Sequence, residues 1–295
     1  MKKKHSLLFG AHMSIAGGIN KAIERGESIG CTAIQIFTKS NRQWHAKALS
    51  DEEIELFKQT WKKSSIKSVV AHASYLLNIG SSNPDLEKKS LEALKIELQR
   101  CADLGIPQLI IHPGSHTNTD EKSCLAQISK NINKLLAHIP DGMLLLETMA
   151  GQGSQVGYTF EQLAEIIKQV DQKRRVGICI DTCHLFAAGY DARTEKAYHD
   201  MWKHFDTVIG MHKLKAIHVN DSQKDLGSRV DRHTDIGKGK MGLNAFELLF
   251  NDPALFDVPK ILETPRTELA DYRKNMDILE DLLSKKTRKL LDVGE

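Results

Sequence analysis

Eight short apolar runs, separated by longer amphipathic segments, constrain the fold of this chain more than any other feature. They are Leu7-Leu8-Phe9, Ala33 to Phe37, Ser68 to Ala71, Gln108 to Ile111, Met143 to Leu146, Val176 to Ile180, Leu214 to Ile217 and Lys260 to Leu262. Runs this short that do not alternate with polar residues read as strands covered on both faces, as a parallel sheet requires. Between them lie helical patterns. The clearest starts near Pro84 and runs through Leu86, Leu91, Leu94, Ile96, Leu98 and Leu104, with Gly105 to close it and Pro107 beyond. Others cover Asp51 to Lys63, Cys124 to Leu136, Phe160 to Val170, Asn244 to Phe250 and Leu269 to Leu283. Eight strands, each followed by a helix-sized segment, predict an eight-stranded parallel β/α (TIM) barrel filling residues 1–295 as a single domain. A doubly wound open sheet shares the alternation and stays open as an alternative.

The residues that end these runs carry the chemistry. His72, His112, Glu147, Asp181, His218 and Glu263 each follow directly on an apolar run. With 13 histidines and 38 acidic residues among 295, six metal-ligand residue types in a row lie well above coincidence. In a β/α barrel all strand C-termini open onto one face, where such enzymes place their active sites. Two further elements join them. Asp181-Thr182-Cys183-His184 adds a ligand one turn after Asp181, and Asp231-Arg232-His233 lies in the polar loop from Asn220 to Lys240. In an extended segment, i and i+2 side chains point the same way. Five histidines and four carboxylates suit zinc and are too many for one ion, so the set asks for two or three. Cys179 and Cys183 read as packing residues. His5, His12, His45, His116, His138, His199, His204 and His212 read as structural or surface residues.

Bulk properties narrow the class. A net charge of +3 excludes a uniformly basic nucleic-acid-coating protein, so any nucleic-acid surface is a local patch. Five cysteines without CxxC spacing argue for a reducing compartment and against a disulfide scaffold. Lys2-Lys3-Lys4-His5 precedes too few apolar residues for a signal peptide, and no run approaches a membrane span. The expectation is a cytoplasmic monomer that makes no use of a membrane.

Several segments together resemble the endonuclease IV family of abasic-site endonucleases. They are Gly10-Ala11-His12-Met13-Ser14, His112-Pro113-Gly114-Ser115, Glu147 to Gly153, Asp181-Thr182-Cys183-His184 with Ala187 to Asp191, and Gly227 to His233. The resemblance runs from about Phe9 to Glu263. It implies a barrel with three zinc ions per chain. His72, His112 and Glu147 would hold the first; Glu147 would bridge to a second held also by Asp181, His218 and Glu263; and His184, Asp231 and His233 would hold the third. It further implies Glu147, Asp181 and Glu263 as catalytic residues. Two departures from the common family pattern are visible, Ala73 after His72 and Thr148 after Glu147, neither of them a ligand position.

The function implied is base excision DNA repair. The enzyme would hydrolyse the phosphodiester 5′ to an abasic site in double-stranded DNA, leaving a 3′-hydroxyl and a 5′-deoxyribose phosphate. Arg42, Tyr75 and Leu76 match the positions that enter the minor groove in the family. Arg229 and Arg232, with Lys238 and Lys240, are expected to meet phosphates. The rival reading is a divalent-metal-dependent sugar isomerase or epimerase on a similar barrel. Such an enzyme needs Glu147, Asp181, His218 and Glu263, but has no use for His72, His112, His184, Asp231 and His233.

Overall fold

In a computed structural model, which describes residues 7–265 and 268–291, eight parallel strands close into a barrel. Lys2-Lys3-Lys4-His5 lies outside the described residues. The strands are β1 (Phe9–Met13), β2 (Ala33–Phe37), β3 (Ser68–His72), β4 (Gln108–Ile111), β5 (Met143–Glu147), β6 (Val176–Asp181), β7 (Leu214–His218) and β8 (Lys260–Leu262). Each pairs with its sequence neighbours, and β8 closes on β1 through Lys260 beside Phe9 and Ile261 beside Gly10. The open-sheet alternative is thereby excluded.

The α-helices among the described residues are α1 (Lys21–Ser28), α2 (Asp51–Lys63), α3 (Pro84–Leu104), α4 (Glu121–His138), α5 (Phe160–Lys168), α6 (Thr182–Ala188), α7 (Glu195–Val208), α8 (Leu243–Asn251), α9 (Leu269–Asp281) and α10 (Lys285–Leu291). Their ends follow from local chemistry. The Asn83 side chain accepts from the backbone N–H groups of Asp85 and Leu86, Pro84 occupies the first turn, and Gly105 closes α3 at φ 75°. Ser50 and Glu53 form a reciprocal capping box on α2. Among the described residues no helix is long and apolar enough to cross a membrane.

The expected elements match closely, with two informative differences. The first strand does not stop at Phe9 but runs through Gly10 to Met13. Gly10 is not a turn residue: a Cβ there would lie 2.0 Å from the carbonyl oxygen of Ala33, so glycine lets β1 approach β2. Helices α1, α6, α7 and α10 are not among the expected helices, although in α7 the buried Tyr198, Met201, Trp202 and Phe205 follow the i, i+3, i+4, i+7 spacing.

Two apolar layers hold the barrel. The larger lies between strands and helices and includes Phe9, packed edge-on against Phe250 at 5.0 Å. The smaller fills the interior with Ala33, Val70, Ile110, Leu145, Cys179, Ala216 and Ile261. At the start of β8 sits fully buried Lys260, whose Nζ donates to the carbonyls of Leu255 (2.6 Å) and Val258 (3.2 Å). Burial pushes its pKa down to about 7 against the weaker pull of Asp252 and Asp257. The folded state therefore holds fewer protons than the unfolded one between pH 7 and the ordinary lysine value, and stability from this site rises across that window. Relative to Lys260→Met, the wild type should gain stability from pH 7 to 9.5 by roughly 1 kcal/mol per pH unit at most, read from denaturant midpoints. Parallel pH profiles for the two proteins would contradict this.

Candidate metal centre

Side-chain alternation builds the site. The interior layer residues face the barrel axis, so the residue two further along each strand faces it too, one layer nearer the C-terminal mouth. Gln35, His72, His112, Glu147, Asp181, His218 and Glu263 follow Ala33, Val70, Ile110, Leu145, Cys179, Ala216 and Ile261 in this way. His12 stands in the same relation to Gly10. The other three expected ligands come from beyond the strands. His184 is on α6, and Asp231 and His233 are on the loop after β7.

All nine expected ligand residues gather, and they fall into three groups. His72, His112 and Glu147 form one; Glu147, Asp181, His218 and Glu263 a second; and His184, Asp231 and His233 a third. Within each group the donor atoms all lie within 4.8 Å of one another. Two ligands about 2.0–2.1 Å from a tetrahedral zinc stand about 3.3 Å apart, which sets the spacing to look for. Glu147 Oε2 is 3.0 Å from His72 Nε2 and 3.3 Å from His112 Nε2. Its other oxygen is 3.0 Å from His218 Nδ1, which is 3.2 Å from Glu263 Oε2. In the third group His184 Nε2 is 3.2 Å and His233 Nε2 3.3 Å from the two oxygens of Asp231. Glu147 thus turns one oxygen to each of the first two groups.

Two tests bear on whether the donors fit a cation. The Nε2 atoms of His184 and His233 are buried without a hydrogen-bond partner, although a carboxylate oxygen stands close to each. Buried polar atoms are rarely left so, and here both converge on Asp231. Charge is the second test. Among the described residues, Glu147, Asp181, Asp231 and Glu263 form ion pairs only with histidines. Burial opposes the charge on Glu147, yet His218, His112 and His184 hold its carboxyl well below the usual range. Burial likewise opposes a charged His184, yet Asp181, Asp231 and Glu147 raise it well above the usual value. Four clustered acids without lysine or arginine need positive charge, and the donor set fits divalent zinc.

Surrounding groups fix which nitrogen each histidine presents. Nδ1 of His72 donates to the Ala73 carbonyl (2.7 Å) and Nδ1 of His184 to the Thr148 carbonyl (2.9 Å), which leaves Nε2 free on both. Thr148 also accepts from the Asp181 N–H through Oγ1. The two departures from the family pattern therefore sit beside the donors, one lending its carbonyl and the other both its carbonyl and its hydroxyl. Asn220 donates to Asp181 Oδ2 at 2.7 Å and accepts from the Glu263 N–H. Asp221 accepts from the N–H groups of Ser222, Gly237, Gly239 and Met241 and so pins the loop carrying Asp231 and His233. Gln152 reaches across to accept from the Asp231 N–H.

Cys183 lies within 4.8 Å of donors on Asp181 and His233, but burial, reinforced by Asp181, pushes its thiol up to about 12. His12 and Gln35, not expected to matter, both contact Glu263. Their signal in the sequence was the interior column itself: Gln35 stands two residues after Ala33, and His12 ends the first strand.

The expected nucleic-acid residues lie around the mouth. Tyr75, 53% exposed, packs against His72 and His112 with ring centroids 5.3 and 5.4 Å away, and exposed Leu76 follows it. Exposed Arg42 lies on the neighbouring loop, joined to Tyr75's loop where Ser74 Oγ donates to the Asn41 carbonyl (2.6 Å). Arg229 adopts a left-handed backbone (φ 53°) and lays its guanidinium over Tyr158 at 4.5 Å, while Arg232 is exposed. Beneath these loops, buried Lys39 pairs with Glu97 (3.2 Å) and donates to the Gln43 carbonyl, and Glu97 accepts from the Ser74 N–H.

A family model described as xylose isomerase-like TIM barrel matches residues 23–282. A probable endonuclease 4 from Chloroflexus aurantiacus is 48% identical over 278 residues, which is 93% of this chain and 98% of that one. The chain belongs to the endonuclease IV family. A crystal structure of endonuclease IV from Thermus thermophilus superposes with a TM-score of 0.83 at 35% identity, covering 93% of this chain and 98% of that one. A D-tagatose 3-epimerase-like protein has a TM-score of 0.70 at 18% identity over 96% and 98% of the chains, a likeness of fold alone.

In this endonuclease IV family member, burial outweighs the pull of Lys39 and lifts the Glu97 carboxyl above its usual range, so the pair positions loops more than it stabilises. Glu97→Ala, which strands the buried Lys39, should cost about 3–5 kcal/mol in unfolding free energy. Lys39→Met combined with Glu97→Leu should recover most of that loss. Equal losses for the single and double variants would show that the ion pair is not the origin of the effect.

Proposed function

We propose that the protein is a zinc-dependent abasic-site endonuclease of base excision repair. It hydrolyses the phosphodiester 5′ to the lesion in duplex DNA and leaves a 3′-hydroxyl and a 5′-deoxyribose phosphate. The observation that carries this reading is the convergence of nine donors in three zinc-sized groups within an endonuclease IV family chain. One zinc would be held by His72, His112 and Glu147, one by Glu147, Asp181, His218 and Glu263, and one by His184, Asp231 and His233. When bound, zinc lowers the pKa of water toward neutrality and offsets the charge on a phosphodiester and its leaving oxygen.

The chain's own residues supply the rest. Glu147, Asp181 and Glu263, which we assign as the catalytic carboxylates, are held on the barrel wall at the base of the mouth, with Glu147 and Asp181 fully shielded. Water adds across the P–O3′ bond, its hydroxyl to phosphorus and its proton to the departing 3′ oxygen. Tyr75 and Leu76 offer exposed apolar surface beside the donors, suited to a space opened by an extruded abasic nucleotide. Arg42, Arg229 and Arg232 supply positive charge for backbone phosphates. A monomer in the cytoplasm suffices for this chemistry.

The histidine surplus weighs against a sugar isomerase or epimerase: His72, His112, His184, Asp231 and His233 all join the cluster. An abasic-site lyase would need an amine to form a Schiff base with the opened sugar. Lys39, two residues past β2, is committed instead to Glu97 and the Gln43 carbonyl.

A duplex with one tetrahydrofuran abasic analogue tests the reading, because it has no aldehyde. It should be cut to an upstream fragment that a polymerase extends directly, and chelation of zinc should abolish cutting. Resistance of the analogue while a natural abasic site is cut, or borohydride trapping of the protein on DNA, would overturn the hydrolytic assignment. Glu147→Gln should lower turnover by several orders of magnitude with the fold intact; near-normal turnover would remove Glu147 from its role. Tyr75→Ala should weaken binding to abasic duplex about tenfold or more with zinc content unchanged, consistent with about 1–3 kcal/mol for a stacked aromatic. Loss of zinc in that variant would make Tyr75 a support of the centre instead.

A further inference from the structure

Gln35 is wholly buried on β2, in the ring of residues facing the barrel axis at the level of the donors. Its side chain reaches three others. Nε2 donates to Glu263 Oε1 at 2.6 Å and lies 2.9 Å from Nδ1 of His12, and Oε1 lies 2.8 Å from Nε2 of His218. The orientation of the amide is dictated by chemistry. An ionised carboxylate only accepts, so the NH2 end must face Glu263, and the oxygen is left for the N–H of His218. Turned the other way, two oxygens would meet across 2.6 Å.

That orientation has a consequence at each end. With Nε2 donating to Gln35, His218 keeps Nδ1 for the point it shares with Glu147 Oε1 (3.0 Å), Glu263 Oε2 (3.2 Å) and Asp181 Oδ2 (3.8 Å), where its lone pair would meet a bound cation. With Oε1 held by Gln35, Glu263 turns only Oε2 toward the same point. One amide therefore sets the tautomer of one donor and the rotation of another, in the manner of outer partners at metal sites.

Resting on the zinc reading above, we infer that Gln35 is a positioning residue for the group formed by Glu147, Asp181, His218 and Glu263. Its carbonyl oxygen fixes His218 as an Nδ1 donor, and its amide nitrogen fixes Glu263 as a donor through Oε2 alone. Among the described residues, its side-chain hydrogen bonds reach only His12, Glu263 and His218, so its effect falls on one of three ions.

Gln35→Leu tests this, because leucine fills a similar volume without the amide; Gln35→Ala is the second variant should leucine not fold. Zinc-loaded wild type and variant are titrated with a competing chelator, and release of each equivalent of zinc is followed together with the circular dichroism spectrum. The wild type should hold three zincs. Each variant should keep the fold and two zincs at wild-type affinity, and bind the remaining one about 10–100-fold more weakly. In nitrogen-15 spectra the loaded wild type should show His218 protonated on Nε2, and the variant should exchange that proton faster. Unchanged binding of all three zincs in Gln35→Leu would overturn the inference alone, since filling space would then be the residue's whole role. Uniform loss of all three would overturn it as well, making Gln35 a general support of the barrel. A wild type that holds fewer than three zincs would overturn the zinc reading itself, and this inference with it.

Discussion

The alternation of side chains along a parallel strand governs most of what is built at the mouth of this barrel. Eight strands run the same way, so their C-terminal ends share one rim, and every second side chain must enter the interior. Below the rim those positions are small or aliphatic and fill the axis: Ala33, Val70, Ile110, Leu145, Cys179, Ala216 and Ile261. Two residues later the same column delivers Gln35, His72, His112, Glu147, Asp181, His218 and Glu263. A shift of one residue in any strand would turn its donor outward among the helices. The apolar layer is thus both the core of the barrel and the ruler that sets the depth of the donors.

Crowding acids and imidazoles into one space raises a charge problem, which the surroundings handle by fixing orientation. Backbone carbonyls of Ala73 and Thr148 and the amide of Gln35 each hold one ring nitrogen of His72, His184 and His218, so the other faces inward. Asn220 ties Asp181 to the start of the Glu263 segment, and Asp221 gathers four backbone N–H groups from the loop that supplies Asp231 and His233. Donors drawn from strand ends, a helix and a long loop can keep common spacings near 3.3 Å only with such bracing.

Much of this was legible in the sequence. Continuous apolar runs marked most strand positions to within a residue or two, and the ligand residue types at their ends marked the rim before any topology was known. What escaped has physical reasons. The first apolar run gives way at Gly10, yet the strand continues because glycine admits a close contact with Ala33. His12, at the end of that strand, read as structural because a single histidine after a strand usually is. Gln35 escaped because it lies inside an apolar run rather than after one, and glutamine is no metal ligand. The bracing by Asn220, Thr148 and Gln152 depends on contacts between distant loops, which periodicity does not encode. Lys39 and Glu97, 58 residues apart, are likewise a product of tertiary packing.

The nine donors would, on the function proposed above, hold three zinc ions, with Glu147 shared between two. Anomalous diffraction from zinc-loaded crystals, recorded on both sides of the zinc absorption edge, tests this most directly. Three peaks are expected, each about 2.0–2.2 Å from the donors of one group, with the two oxygens of Glu147 directed to different ions. A single peak among Glu147, Asp181, His218 and Glu263, or a third ion bound through Cys183 in place of Asp231, would contradict it.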